Sequence, residues 1–200
     1  MRKIMIAAAM IGATAAGSAQ AETYGKIFGG AIYGSDHDFT LDIPGTGTSA
    51  GEYDTDTGFV VGGAYGYNLN KFFSVEGEIA YRTNEVESGT IGGITLDGDD
   101  DINSLSFMGN AIFNAPSYAG FTPYVGAGAG AARIGGAGEH DTVFAYQAFG
   151  GVKKNLTEKI DAGIEYRYFD ADTATLTDAG ASLATEYDSH SLNLVLSRSF

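Results

Sequence analysis

The clearest pattern along the chain is a strict alternation of apolar and polar residues in two segments, 73–82 and 161–169. In the first segment, the apolar positions are Phe73, Val75, Gly77, Ile79 and Tyr81, and the intervening positions are Ser74, Glu76, Glu78, Ala80 and Arg82. In the second, Asp161, Gly163, Glu165, Arg167 and Phe169 alternate with Ala162, Ile164, Tyr166 and Tyr168. Because successive side chains of a strand point to opposite faces, this period of two predicts β-strands with unlike faces.

Weaker alternation in six further segments raises the predicted number of strands to eight. These segments are residues 24–33, 59–67, 104–113, 121–133, 142–154 and 191–197. An even number of strands allows an antiparallel sheet to close with both chain ends on the same side. The sequence therefore predicts an all-β fold, an eight-stranded antiparallel up-and-down transmembrane β-barrel over residues 22–200.

The predicted connections differ in length and in charge. The longer ones hold sixteen Asp or Glu and no Lys or Arg, and they are residues 35–53, 84–101, 134–141 and 171–189. The short ones, 68–71, 115–120 and 155–159, have lysines in or beside them, namely Lys71, Lys153, Lys154 and Lys159. Membrane barrels of bacteria show this asymmetry, with short periplasmic turns and long extracellular loops. We therefore expect one acidic rim and one mildly basic rim.

The first twenty-one residues have the features of a signal peptide. Arg2 and Lys3 form a basic start, residues 4–16 form a short apolar run, and Ala19 and Ala21 supply small residues before a cleavage point. Such a run is too short for a permanent transmembrane helix. We expect cleavage after Ala21, which leaves a secreted chain of residues 22–200.

Alternation alone does not say which face of a barrel points outward, since a soluble barrel would place its apolar face inside. Three features favour the membrane. Opposite charges share the polar face, and the chain ends in a strand with Phe200 as its last residue. Aromatic residues also lie near strand ends on the apolar face, as interfacial girdles do, at Tyr67, Phe73, Tyr81, Phe113 and Tyr168.

Four short stretches carry a resemblance to a known family. They are FVVGGAYGY at 59–67, TPYVGAG at 122–128, FAYQA at 144–148 and GIEYRYF at 163–169. In their order and spacing the chain resembles, from Tyr24 to Phe200, the small OmpA-like and opacity-protein-like surface barrels of Gram-negative bacteria.

This resemblance implies a monomer in the cell outer membrane, with extracellular loops and periplasmic termini, in contact with membrane lipid and lipopolysaccharide. It also implies a role in envelope integrity or in adhesion to a host or neighbouring cell-surface protein. The last strand resembles the signal read by the outer-membrane assembly machinery, although Arg198 stands where the family usually has an aromatic residue. The residues of that signal are Leu192, Leu194, Leu196 and Phe200.

Eight strands leave an interior that side chains can fill. We expect a polar network there, made of Glu76, Glu78, Arg82, Gln147, Asp161, Glu165 and Arg167. As a plug, this network would close the barrel. The alternative is a narrow, low-conductance pore that opens when one Glu–Arg pair exchanges for another.

The sequence offers no catalytic set. His37, His140 and His190 each have an Asp within two residues, but no nucleophile accompanies them. Eight-stranded lipid A deacylases use a His-x-Ser pair that faces lipid, whereas His190 is followed directly by Ser191, which points to the opposite face. A barrel enzyme acting on lipid or peptide is therefore the least favoured function.

The acidic residues predict neither a metal site nor binding to nucleic acid. The spacing of Asp97, Asp99 and Asp101 resembles the start of a calcium loop, but Met108 stands where the bidentate Glu should be. The formal net charge of −14 disfavours nucleic acid and suits a basic protein partner. No cofactor is predicted. The function that the sequence favours is a non-enzymatic surface barrel with acidic extracellular loops and a structural or adhesive role.

Overall fold

The alternating segments form β-strands. The computed structural model describes residues 22–33, 36–43, 47–55, 58–84, 86–91, 94–96, 102–136, 139–178 and 181–200, with side chains at 22–33, 58–84, 103–135, 140–174 and 187–200. The predicted signal peptide, including Ala19 and Ala21, lies outside the described residues. No helix in these ranges is long and apolar enough to cross a bilayer.

The described residues contain twelve strands. In chain order they are β1 (Thr23–Tyr33), β2 (Asp36–Ile43), β3 (Gly47–Thr55), β4 (Gly58–Asn68), β5 (Phe73–Asn84), β6 (Val86–Ile91), β7 (Ile94–Leu96), β8 (Ile102–Asn114), β9 (Phe121–Gly136), β10 (Glu139–Asn155), β11 (Ile160–Asp178) and β12 (Ala181–Ser199).

Eight of these strands close into a barrel in the order β1-β4-β5-β8-β9-β10-β11-β12. Every pairing is antiparallel, and β1 closes the ring by pairing with β12 from Tyr24–Ser199 to Tyr33–His190. Closure leaves no free sheet edge within the ring, so the backbone groups of all eight strands are paired there. The prediction of an eight-stranded antiparallel barrel is confirmed.

The four other strands lie in segments that the sequence pattern assigned to long connections. β2 pairs with β12 between Ser182 and Thr185, and the sheet then continues through β3 and β6 to β7. The cause is a difference in length, because β1 ends opposite His190 while β12 begins at Ala181. The free backbone groups of β12 beyond β1 are satisfied by β2 instead.

The side chains of the ring sort by parity, as expected for a strand with unlike faces. On β5, Phe73, Val75, Ile79 and Tyr81 point outward and are each at least 40% exposed, whereas Glu76, Glu78 and Arg82 are buried inside. On β12, Leu192, Leu194 and Leu196 point outward, and Ser191 and Asn193 point inward. On these strands the large apolar side chains face outward and the charged side chains face inward, the reverse of a soluble barrel.

Three short turns join the ring strands at one end, which we call the short-turn end. In the turn before β5, the Asn70 side chain accepts hydrogen bonds from the backbone N–H of Phe72 (2.8 Å) and Phe73 (3.0 Å). In the turn before β9, Ala119 (φ 52°) and Gly120 (φ 82°) both have positive φ, and Tyr118 and Phe121 exchange backbone hydrogen bonds. This is the geometry of a two-residue type I′ hairpin. We call the opposite end the long-connection end.

Candidate functional site

Six charged side chains of the described residues are buried inside the barrel. They are Lys26, Glu76, Glu78, Arg82, Glu165 and Arg167. Three are acidic and three are basic, so together they are formally neutral. A buried charge without a partner costs several kcal/mol, and the interior therefore depends on how these groups pair.

At the centre of the barrel, Arg167 binds two carboxylates. Its Nη1 donates to Glu78 Oε1 (2.5 Å), and its Nε and Nη2 both donate to Glu165 Oε1 at 3.0 and 2.7 Å. None of the three side chains is exposed to any extent. Arg167 and Glu165 share a face because they are two residues apart on β11, but Glu78 comes from the opposite wall, on β5. The ion pairs therefore cross the lumen.

Two amides and a phenol use the remaining bonding capacity of these carboxylates. Gln147 Nε2 donates to Glu78 Oε1 (3.1 Å) and to Asn110 Oδ1 (2.8 Å), while Asn110 Nδ2 donates to Glu78 Oε2 (3.0 Å). The Tyr124 hydroxyl donates to Glu165 Oε2 at 3.0 Å. We call Glu78, Asn110, Gln147, Glu165 and Arg167 the central cluster. It joins β5, β8, β10 and β11 in one network of buried hydrogen bonds.

Aromatic rings close the space on either side of the central arginine. The Arg167 guanidinium carbon lies 4.5 Å from the ring centre of Phe28 and 4.8 Å from that of Phe149. Both rings are buried, so the cation–π attraction acts in a desolvated site, where it is strongest. The rings also fill the lumen around the ion pairs, which leaves the central cluster as a packed plug.

Glycines in the wall make room for these rings. A Cβ on Gly62 would meet the Phe28 ring, and a Cβ on Gly126 would meet the Phe149 ring. By contrast, a Cβ on Gly77, which points outward, would meet nothing within 4 Å. The inward glycines are therefore packing positions of the plug.

A second ion pair lies nearer the short-turn end. Lys26 on β1 pairs with Glu76 on β5, and both side chains are buried. The Tyr24 hydroxyl donates to Glu76 Oε1 at 2.7 Å. Lys26 Nζ also lies 5.4 Å from the ring centre of Phe149, so this pair packs against the same aromatic layer as Arg167.

The third buried cation, Arg82, has a different environment. Arg82 Nη1 donates to Ser106 Oγ (2.7 Å), and its guanidinium carbon lies 3.9 Å from the ring centre of Phe169. Its Nη2 has no hydrogen-bond partner, although the side chain is 1% exposed. Arg82 is thus a buried cation that faces an aromatic ring and no carboxylate within hydrogen-bonding distance among the described residues.

The lumen opens at the short-turn end into a polar mouth of about 470 Å³. Lys71, Lys153, Glu158 and Asp161 are among its lining residues. Asp161, which the sequence pattern assigned to the interior network, lies here and accepts a hydrogen bond from Asn155 Nδ2 at 2.6 Å. A further cavity of about 30 Å³ reaches inward to Lys26 and Glu76.

This arrangement of an apolar exterior, a polar filled lumen and eight closed strands is the architecture of small outer-membrane barrels. Residues 5–200 match the domain family described as "Outer membrane protein beta-barrel domain". The chain belongs to the outer-membrane β-barrel family. No curated protein matches the sequence significantly.

Solved structures of other outer-membrane barrels share the fold. The outer membrane protein OprG of Pseudomonas aeruginosa is 15% identical, with a TM-score of 0.71 over 90% of this chain and 95% of that chain. Neisserial surface protein A is 16% identical, with a TM-score of 0.56 over 91% of this chain and 100% of that chain. At these identities the likeness shows the fold alone.

The sequence pattern did not single out four of the interior residues. Lys26 and Tyr24 lie on glycine-rich β1, whose two faces the alternation leaves ambiguous, and Tyr124 lies on β9, which is ambiguous for the same reason. Asn110 was recognised as polar-face but not as a member of the network. One signal could have found Lys26: the outward series Ile27, Gly29, Ala31 and Tyr33 forces it inward.

Of the residues weighed for catalysis, His190 and its neighbour Ser191 point to opposite faces. His190 points outward, and its Nδ1 lies 2.6 Å from the Tyr166 hydroxyl, whereas Ser191 is buried inside. In the part of the chain that the structure describes, no group of three His, Asp or Glu could hold a metal ion. The side chain of His37 and residues 97–101, with the calcium-like spacing, lie outside the described residues.

Proposed function

We propose that this outer-membrane barrel is a non-enzymatic surface protein whose interior is a structural plug and whose long-connection end binds partners. The observation that supports this most is the central cluster: Glu78, Glu165 and Arg167 are fully buried, mutually paired and packed between rings. A lumen filled in this way stiffens the barrel and offers no path for solute. The functional surface is then the end that carries the long connections.

Orientation in the membrane follows from the connections. We infer that the short-turn end faces the periplasm and the long connections face outward, as in bacterial barrels generally. Glu22 and Phe200, the first and last described residues, both lie at the short-turn end. Protease treatment of intact cells should cut the long connections and spare an epitope tag placed at Phe200. Cleavage of that tag instead would reverse the orientation.

The acidic connections favour a basic protein partner on a host or neighbouring cell. Sixteen carboxylates without a lysine or arginine produce a field that attracts cations and falls off within a Debye length, about 8 Å at physiological salt. The mature barrel in nanodiscs of zwitterionic lipid should therefore bind a fluorescent lysine-rich peptide, and more tightly at low salt.

A matched pair of variants tests whether the long connections are responsible. Replacing Asp99 and Asp101 by Asn should weaken peptide binding, whereas Glu22→Gln with Glu158→Gln, which removes the same two charges at the short-turn end, should not. Equal binding by both variants and the parent barrel would contradict a role for the acidic connections.

The second candidate function is a narrow pore, and Arg82 is the observation that favours it. Its Nη2 is buried without a partner on the same interior face of β5 as Glu78. Exchange of Glu78 from Arg167 to Arg82 would open the central cluster. Single-channel recording in a planar bilayer decides between the functions. A flat baseline supports the plug, and current steps that change with Glu78→Gln or Arg167→Gln support the pore.

A further inference from the structure

The outer wall of the barrel has a groove near the short-turn end, where β11, β12, β1 and β4 lie side by side. Its volume is about 420 Å³. The groove forms because two outward positions of the wall are glycine: Gly63 lies opposite Ile27, and Gly25 lies opposite Arg198. The exposed side chains of Ile27 and Leu196 lie beside these glycines, so the groove is mostly apolar. Arg198 stands at its end nearer the turns.

Arg198 is an exposed cation without an acidic partner among the described residues. Its guanidinium makes no hydrogen bond or ion pair with any of them, and this includes the chain carboxylate of Phe200, two residues later. The Phe200 ring is its neighbour, with the ring centre 5.8 Å from the guanidinium carbon. The same ring lies against Gly25, 3.7 Å from the position that a Cβ would take. The N–H donors of this guanidinium are therefore free beside the groove.

The charged side chains of the short-turn end divide between two surfaces. The polar mouth inside the ring is lined by both signs, namely Glu22, Lys71, Lys153, Glu158, Lys159 and Asp161. On the outward face, Lys154 is a second exposed cation, and its Nζ lies 5.1 Å from the ring centre of Phe121. The described strand residues at this end include no outward Asp or Glu. The lipid-facing surface around the groove therefore has an excess of positive charge.

The position of Arg198 on its strand is the depth of lipid headgroups. It is the last outward residue of β12, which ends at Ser199, and the outward residues before it are Leu192, Leu194 and Leu196. A long basic side chain at such a boundary reaches the interface while its stem covers apolar surface. Phospholipid phosphates lie at this depth, and a guanidinium binds a phosphate through two parallel hydrogen bonds.

The neighbouring groups select the kind of headgroup. An ethanolamine headgroup adds an ammonium to its phosphate, and the described outward face at this end has no carboxylate side chain to receive that ammonium. A headgroup that carries a phosphate and no ammonium is instead attracted by both Arg198 and Lys154. The surface therefore favours a lipid with a net negative charge.

We propose that Arg198 and the groove beside it bind an anionic phospholipid. The phosphate accepts hydrogen bonds from the Arg198 guanidinium, and one acyl chain lies along Gly25 and Gly63 against Leu196. The occupant is a lipid because the groove opens on the lipid-facing side of the barrel. In the orientation given under the proposed function, this is the periplasmic leaflet, opposite the lipopolysaccharide; the binding itself does not depend on that orientation.

Native mass spectrometry of the refolded mature barrel tests this proposal. The protein is released from nanodiscs of equal parts phosphatidylglycerol and phosphatidylethanolamine, and the retained lipids are counted. Retained phosphatidylglycerol should exceed phosphatidylethanolamine by about fivefold, the size expected for one basic side chain facing anionic lipid. Arg198→Gln should bring this ratio close to one, and Arg198→Lys, which keeps the charge, should retain most of the preference.

Two matched controls accompany these variants, and a heat-dependent gel shift confirms that each is folded. Arg133→Gln removes an exposed arginine from β9 near the long-connection end and should leave the ratio unchanged. Gly63→Leu fills the groove and should lower the retained phosphatidylglycerol, whereas Gly77→Leu adds the same side chain to the open outer face of β5 and should not. The parent ratio in Arg198→Gln, or an equal loss in Arg133→Gln, would overturn the proposal. Unchanged retention by Gly63→Leu would overturn the place given to the acyl chain.

Two further outcomes identify other occupants. Displacement of the lipid by excess glycerol 3-phosphate would identify a site for soluble phosphates and overturn the assignment to a lipid. A dimer mass that the parent barrel shows and Gly63→Leu loses would assign the groove to a second copy of this chain. The lipid proposal expects neither. Because this experiment uses no lysine-rich peptide and leaves the long connections unchanged, its failure leaves the proposed partner binding untouched.

Discussion

Arg167 on β11 and Glu78 on β5 form an ion pair across the centre of the barrel, although they are 89 residues apart in the chain. They come from strands that do not pair with each other, so the contact exists only when the ring has closed. The pair thus depends on barrel closure, and in turn holds opposite walls of the lumen together.

Breaking this pair should destabilise the folded barrel strongly. Arg167→Met leaves Glu78 and Glu165 buried without their cation, and loss of one partner of a buried pair costs roughly 3–5 kcal/mol. Urea unfolding in lipid vesicles, followed by the heat-dependent gel shift, measures the change. Lys71→Met, on an exposed turn, is the control and should be nearly neutral. Unchanged unfolding of Arg167→Met would show that the central cluster does not stabilise the barrel.

A charge on the outer face should impair insertion. Leu194 points to lipid and is 72% exposed, and an arginine at the bilayer midplane costs about 2–4 kcal/mol. Leu194→Arg should therefore yield little heat-modifiable protein after refolding into vesicles. Leu156→Arg places the same change on an exposed turn at the short-turn end and should refold normally. Normal refolding of Leu194→Arg would contradict the assignment of this face to lipid.

The two classes of wall glycine should respond differently to the same substitution. Gly126→Ala forces the Phe149 ring from its place beside Arg167, and overpacking of this kind costs roughly 1–3 kcal/mol. Gly77→Ala adds the same methyl group on the outer face, where nothing lies within 4 Å. The difference between the two variants in the free energy of unfolding isolates the packing effect. Equal values would mean that the ring yields freely.

The hairpin before β9 contains a residue that the turn does not favour. Ala119 has φ 52°, a conformation that costs a residue with a Cβ about 1–2 kcal/mol. Ala119→Gly should stabilise the barrel by about 0.5–1 kcal/mol, measured by the same urea unfolding. Gly120→Ala, at φ 82°, should destabilise it. A loss of stability in Ala119→Gly would show that the added freedom of the unfolded chain outweighs the relief of strain.

Much of the interior could be predicted where the alternation is strict. On β5 and β11, polar and apolar residues alternate along the strand. Glu76, Glu78, Glu165 and Arg167 could therefore be assigned to the polar face. On β1 and β9, glycine and alanine occupy both faces, and Lys26, Tyr24 and Tyr124 were therefore missed. Side-chain period is informative only where the two faces differ in polarity.

The strands beyond the barrel could not be predicted for another reason. β2 pairs with β12 because β12 extends past the end of β1, and relative strand length depends on register and not on local composition. Residues 35–53 were predicted to form a loop, but they contain β2 and most of β3. They form strands because β2 pairs with the free edge of β12, where Ser182 lies opposite Asp42, 140 residues before it in the chain.

The sequence by itself determined the class of fold and the eight strands, because these follow from local alternation and from the lengths of the connections. It also indicated which face meets lipid, because opposite charges share one face and aromatic residues lie near the strand ends of the other. Only the tertiary structure decided the pairing of the charges: Arg167 binds Glu78 and Glu165, Lys26 takes Glu76, and Arg82 is left against Phe169. Partners inside a barrel come from strands on opposite walls, and their distances are set by closure and stagger of the whole ring, which no local pattern encodes.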